Sequence, residues 1–228
     1  MQVIAPMGQR HGDTRAEGAA IRVPSEDAID LLEQFGITVK VERGHEIHAQ
    51  GHCAEHCWRI VSGCVRTVKL LEDGRRAVGE FLFAGDYFGQ DDVETYDLAA
   101  EAVTDVVLRR YPRRMVEALA DSHAVLARRL RGIALSNLRA AHERAAMLGR
   151  KTASERLASF LLEMDRRCRE RSGSFLELPM SRGDIADYLG LTVETVCRLL
   201  SQFRREGAIA VGRTGVELCS RAMLRSAA

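Results

Sequence analysis

Apolar and polar positions follow two different rhythms along the chain. From Ile37 to Tyr111 they run in short alternating stretches: Val39-Lys40-Val41-Glu42, Glu46-Ile47-His48, Trp58-Arg59-Ile60-Val61, Val65 to Leu70, Ala77 to Phe83 and Ala99 to Tyr111. Glycines 44, 51, 63, 74 and 85 separate them, and Glu72-Asp73-Gly74-Arg75 is a hairpin turn between two of the runs. Alternation with period two predicts strands, and glycine-rich breaks at this spacing predict tight turns. Seven or eight short strands so arranged imply a small antiparallel β-barrel or jelly roll over residues 24–111. Before them, residues 1–23 have no periodicity and read as a tail. Pro24-Ser25-Glu26-Asp27 reads as the start of a short amphipathic helix, Ala28 to Gly36.

After Tyr111 the period becomes helical. Pro112 is placed to open a long helix reaching residue 148. Leu119, His123, Leu126, Leu130, Ile133, Asn137, Ala140, Arg144 and Met147 repeat at four-three spacing. That is a coiled-coil seam of roughly four heptads, with Asn137 able to set register in a parallel dimer. The alternative is one amphipathic helix lying on its own domain. A second stripe of Leu135, Leu138, Ala145 and Leu148 is expected to pack on the barrel.

Residues 149–228 form a third region, entered through a hinge at Gly149-Arg150-Lys151. Leu157, Phe160, Leu161 and Met164 mark an amphipathic helix to about Arg171. A loop at 172–174 and a short strand at 175–179 follow. In residues 181–206, Ile185, Ala186 and Leu189 make an apolar stripe that Gly190 ends, because glycine accepts the left-handed conformation. Thr192 is an N-cap, Glu194 sits in the first turn, and Val196, Leu199, Leu200 and Phe203 face inward. Alternation at 208–211 and 216–218 about a Gly212–Gly215 turn completes a winged helix-turn-helix. No structure is predicted from Ser220 onward.

Glu194 and Arg198 lie four residues apart and share one helix face, with Ser201 and Gln202 nearby. An arginine can donate twice to guanine, and a glutamate can accept from a cytosine amino group. The competing reading is an intrahelical ion pair. Phosphate contacts are expected from Arg182, just before the first helix, and from Arg204, Arg205 and Arg213 around the second helix and wing. Such contacts make binding fall steeply with salt.

Charge separates along the chain although the net value is only +1. Residues 150–228 hold fourteen Lys/Arg against ten Asp/Glu, leaving the remainder at −3. A basic C-terminal region beside an acidic N-terminal one suits a DNA-binding module on a separate module. The 46% hydrophobic and 29% charged contents are those of an ordinary globular protein, and 228 residues suffice for real cores. No apolar run is long enough to span a membrane, and no signal peptide is read at the N-terminus. Six scattered cysteines (53, 57, 64, 168, 197 and 219) then fit reduced thiols in a cytoplasm.

Asp187-Tyr188-Leu189-Gly190-Leu191-Thr192 followed by Glu194-Thr195-Val196-Cys197-Arg198 resembles the recognition element of the CRP/FNR superfamily of bacterial transcription regulators, in its FixK-type branch. The resemblance spans about residues 25–220. It implies a cyclic-nucleotide-binding-like jelly roll, a dimer helix and a winged helix-turn-helix. It implies a homodimer reading a palindromic TTGA-type site in double-stranded DNA through Glu194 and Arg198. Thr192, Val193, Thr195, Cys197 and Ser201 would then lie close to the DNA. The resemblance also implies activation by contact with RNA polymerase and targets in low-oxygen or nitrogen-linked metabolism.

Several departures from the family pattern narrow the reading. The family's nucleotide site holds a glutamate, an arginine and a serine where this chain has Gln90, Asp97 and Leu98, so no cyclic nucleotide is expected. No cysteine precedes Cys53, which argues against an iron–sulfur cluster. No cofactor is expected. Cys197 stands where the fumarate-nitrate-regulator pattern has serine. It is either a small packing residue or a thiol whose oxidation would block DNA. His45, His48, His52, Cys53, His56 and Cys57 crowd into thirteen residues and have metal-ligating chemistry, but no finger spacing. They are either loop residues or the sensor of a metal-responsive regulator. No nucleophile, base and orienting group are arranged together, so an enzyme is not expected.

Overall fold

The computed structural model describes residues 32–90, 94–167 and 175–228. Eight strands come first: β1 (Ile37–Val41), β2 (Glu46–His48), β3 (His56–Ser62), β4 (Cys64–Leu70), β5 (Arg76–Phe83), β6 (Tyr87–Phe88), β7 (Ala99–Ala102) and β8 (Val106–Pro112). They form two antiparallel sheets of four, in the orders β1-β8-β3-β6 and β2-β7-β4-β5. The inner faces of both sheets share one core of Trp58, Ile60, Val65, Leu82, Phe88, Ala100, Ala102, Val106 and Leu108. The closed-barrel alternative is therefore set aside for the two-sheet jelly roll, because consecutive strands β3 and β4 lie in different sheets. Gly63 makes that crossing possible. Its φ is +94°, and a β-carbon would come within 2.5 Å of the Asp105 carbonyl oxygen.

The long helix differs from the expectation. Pro112 ends β8, pairing with His56, and is the N-cap of a ten-residue helix α1 (Arg113–Ser122). His123 is extended, and the long helix α2 (Ala124–Arg150) begins only after it. The Ser122 hydroxyl donates back to the Ala118 and Leu119 carbonyls, a local bond that accompanies the break. The break folds α1 onto its own jelly roll, where Val116 and Leu126 bury against Tyr111 and Leu32. Of the expected hinge Gly149-Arg150-Lys151, the first two residues are still helical and the chain leaves the helix at Lys151.

Beyond it come α3 (Ala153–Arg167), β9 (Phe175–Glu177), α4 (Arg182–Leu189), α5 (Val193–Arg205), β10 (Ile209–Val211), β11 (Gly215–Leu218) and α6 (Arg221–Ser226). The three strands make a small sheet, β10-β11-β9. α3, α4 and α5 cover an apolar core containing Leu157, Phe160, Leu161, Ile185, Leu189, Val196, Leu200 and Phe203. The last helix was not read from the sequence. Ser220 caps it, Leu224 is fully buried, and Arg221 grips Asp165 through two 2.8 Å hydrogen bonds. The tail expected at 1–23, the start of the first helix and all of residues 168–174, with the expected helix end at Arg171 and the loop at 172–174, lie outside the described residues.

Candidate DNA-reading surface

Local sequence fixes the start and stop of both helices of the α4–α5 element. The Ser181 hydroxyl accepts from the Asp184 amide at 3.0 Å, and the Asp184 carboxylate accepts from the Ser181 amide at 3.0 Å. This reciprocal capping box opens α4. Gly190 closes it with φ 62° and ψ 42°, a left-handed residue that lets the chain reverse into α5. Thr192 then caps α5, its hydroxyl accepting from the Thr195 amide. Arg182 is the first residue of α4 rather than a residue ahead of it, and it is half-buried.

With Val196, Leu199, Leu200 and Phe203 buried, helical periodicity forces the remaining face of α5 outward. Val193, Glu194, Cys197, Arg198, Ser201, Arg204 and Arg205 are exposed on it, and Thr195 is half-buried at its edge. No ion pair joins Glu194 to Arg198 among the described residues, so the two charges do not neutralise each other inside the helix. The Glu194 carboxyl is held below the usual carboxylate range, first by its own backbone N–H at the helix start and then by the Thr192 hydroxyl. It stays ionised and able to accept. The Ser201 hydroxyl bonds back to the Cys197 carbonyl at 2.9 Å. Arg213 stands exposed on the wing turn, where the Gly212 amide meets the Gly215 carbonyl. Glu194 is thus accompanied by five arginines of this domain, Arg182, Arg198, Arg204, Arg205 and Arg213, and Arg75 and Arg76 of the β4–β5 hairpin adjoin the start of α5.

The heptad positions of α2, expected along a dimer seam, are divided between the chain's own core and its surface. Leu126 is fully buried in its own protomer, and Leu119 and Leu130 pack against the same cluster. Met147 belongs to the core under α3. The Arg144 guanidinium donates to the carbonyls of Val78 and Tyr188 and lies 4.2 Å from the Tyr188 ring centroid. Ile133 and Ala140 are half-buried, and Asn137 borders a cavity of the jelly roll. The heptad stripe thus faces inward for much of its length. Of the other stripe, expected on the jelly roll, Leu148 packs against the core that includes Val78 and Phe81, while Ala145, Leu135 at 59% and Leu138 at 52% are exposed.

That cavity measures about 230 Å³ and is lined by His48, Thr67, Glu80, Leu82, Tyr87, Phe88, Gly89, Gln90, Leu98, Ala134 and Asn137. Gln90 and Leu98 are two of the positions where the family pattern holds nucleotide-binding groups. Asp97 is not in the wall. It pairs with Lys69 at 2.5 Å on the surface, so its charge is answered there rather than aimed at a ligand. What opposes a cyclic nucleotide is the lining itself. It contains no Arg or Lys among the described residues, and it carries Glu80, whose pKa burial pushes up. Burial also pushes the His48 imidazole down to about 4, leaving it uncharged at neutral pH. An anionic phosphate would find no counter-charge in this wall, so these residues do not fit a cyclic nucleotide.

The histidine-cysteine segment is dispersed by the fold. His45 and His52 are exposed in the loops on either side of β2, Cys53 is exposed where it bridges Thr95, and Cys57 is buried in β3. His48 stacks on Tyr96 at 3.7 Å, with no hydrogen-bond partner of normal geometry at either ring nitrogen. His56 tilts against Trp58. No three His, Cys, Asp or Glu side chains converge on one point among the described residues.

Residues 38–123 match the cyclic nucleotide-binding domain model, and residues 155–227 match the Crp-like helix-turn-helix domain. The nitrogen fixation regulation protein FixK of Azorhizobium caulinodans is 38% identical over 209 residues, covering 90% of this chain and 84% of that protein. FixK of Bradyrhizobium diazoefficiens is 32% identical over 230 residues, covering 99% and 97%. The structure of FixK2 from Bradyrhizobium japonicum superimposes with a TM-score of 0.81 at 41% identity, over 84% of this chain and 96% of that one. Together with a capped two-helix element presenting a cationic outer face, these likenesses show that the chain belongs to the CRP/FNR family of DNA-binding transcription regulators, in its FixK-type branch.

Proposed function

We propose that this regulator binds a palindromic TTGA-type operator as a homodimer, with Glu194 and Arg198 of each α5 reading base edges in the major groove. The observation that carries the reading is the outer face of α5, where an ionised glutamate and an arginine stand exposed one turn apart, with no ion pair between them among the described residues. The arginine has no ion pair to break, and the carboxylate, held locally by the Thr192 hydroxyl and its own backbone N–H, keeps acceptor capacity for a base amino group. Arg182, Arg204, Arg205 and Arg213 hold phosphates on either side, fixing register without reading sequence.

The dimer forms along α2 through Leu135 and Leu138, whose exposure leaves an apolar stripe with no partner in the protomer. A second copy placed across that stripe gives the two-fold symmetry that a palindrome requires. DNA binding needs neither a cyclic nucleotide nor an iron–sulfur cluster. The cavity wall that lacks a cation supports the first point, and the absence of any cysteine ahead of Cys53 supports the second. Transcription is then activated by contact with RNA polymerase, in keeping with the activator names of relatives such as FnrL of Cereibacter sphaeroides.

Selection of bound duplexes from random DNA, using purified protein with no added effector, tests these points together. Recovery of paired, inverted half-sites is expected. Recovery of unpaired sites or of no motif would refute the reading.

A further inference from the structure

The jelly roll and the α4–α5 element meet through two kinds of contact. One is apolar and permissive in angle: Phe81 of β5, Phe160 of α3 and Tyr188 of α4 pack with ring centroids 5.3–6.2 Å apart. The other is a directional ion cluster centred on Asp184, whose side chain is only 3% exposed. One oxygen of this carboxylate takes both Ser181 groups, the amide at 3.0 Å and the hydroxyl at 2.8 Å. The other oxygen takes Arg66 of β4 at 3.0 Å and Arg76 of β5 at 2.8 Å. Arg66 is itself held by Glu101 of β7 at 2.6 and 2.8 Å, and Arg76 reaches on to Asp187 at 2.8 Å.

The residue that starts the first helix of the reading element is therefore the residue that the jelly roll grips. Any rotation of α4 against the sheet must break the capping box or the two arginine bonds. Burying these charges adds little adhesion, since desolvation offsets much of the attraction. What such a cluster adds is geometry. Charge-assisted hydrogen bonds to one carboxylate oxygen from two strands leave few relative orientations in which all are satisfied. In a dimer joined along α2, the orientation of α4–α5 on its own jelly roll fixes the distance between the two reading helices.

We infer that Arg66 and Arg76 are positioning residues for DNA recognition, setting the half-site spacing of the operator from outside the DNA-binding domain through Asp184 and Asp187. This inference rests on the reading of α5 above.

The test uses the full-length protein and fluorescent duplexes carrying two selected half-sites, with the spacer lengthened and shortened in single base-pair steps. A duplex with one half-site and a scrambled partner serves as reference. Wild type is expected to favour one spacing by about tenfold or more over its neighbours. Arg66→Met with Arg76→Met should reduce that preference to about twofold, while affinity for the one-half-site duplex changes by less than about twofold. Arg76→Asp combined with Asp187→Arg, which rebuilds one arm with the charges exchanged, should restore part of the preference that Arg76→Asp alone removes.

A double variant that keeps the wild-type spacing preference overturns the inference. So does a double variant that loses one-half-site binding without rescue by the exchanged pair, since the cluster would then only support folding. A wild-type protein that selects no half-site at all refutes the proposed function instead, which separates the two failures.

Discussion

Replacing Arg198 with alanine is the most direct probe of the reading surface. Its guanidinium is exposed, has no ion-pair partner among the described residues, and lies on the face of α5 opposite Val196 and Leu200. Its removal therefore leaves no cavity and no buried group unpaired. The variant should unfold within about 0.5 kcal/mol of wild type, as exposed substitutions do. Any loss of binding then belongs to the contact itself. A bidentate arginine–guanine pair discriminates by about 1–3 kcal/mol. Two half-sites make that about 2–6 kcal/mol, a loss of roughly 30-fold or more at 1.4 kcal/mol per decade. Fluorescence anisotropy on the selected operator, on an operator altered at the half-site guanine, and on random DNA separates the possibilities. The expected result is a large loss on the operator, almost none on random DNA, and indifference to the altered guanine. An equal loss on all three duplexes would make Arg198 a phosphate contact and refute the base-reading role.

Other expectations follow from the same structure. Arg213→Ala should weaken binding to operator and random DNA alike, and lower the slope of log K against log salt by about 0.9 for each phosphate released; an unchanged slope would remove Arg213 from the interface. Gly190→Ala places a β-carbon at φ 62° with only ordinary contact to Arg156 and Leu148, so the cost is conformational, about 1–2 kcal/mol in urea unfolding; no loss of stability would contradict the left-handed cap. Phe203→Ala, deep in the core under α5, should cost about 3–5 kcal/mol by the same measurement. Burial alone would raise the Asp184 carboxyl, but the Ser181 bonds and then Arg66 and Arg76 outweigh it and hold its pKa below the ordinary value. Its stabilisation is thus present above the unfolded value of about 3.9 and is lost as pH falls through the lower folded value; Asp184→Asn should be less stable at neutral pH and show a shallower acid transition, and identical acid profiles would refute this.

The sequence determined what depends on neighbours along the chain. Alternation and glycine breaks gave the strands, and Gly63 and Gly190 marked turns that only a residue at ease with positive φ can make. Thr192, Gly190 and the apolar set of α5 delimited the reading helix, and with it which side chains face out. Ser181 and Asp184 at capping-box spacing were also legible, although the box became evident only with the backbone in view.

Tertiary structure decided what depends on which face meets which partner. A four-three repeat on α2 does not say whether its apolar stripe faces a second chain or its own. Packing of Leu119, Leu126 and Leu130 against Tyr111 and Leu32 turned that stripe inward and left Leu135 and Leu138 outside. Asp97 is adjacent in sequence to the wall residue Leu98, yet in the bend that leads into β7 it turns to Lys69 and away from the cavity. The grip of Arg66 and Arg76 on Asp184 joins residues 118 and 108 positions apart. No local pattern encodes it, because opposite charges that far apart in the chain find each other only after both domains have folded.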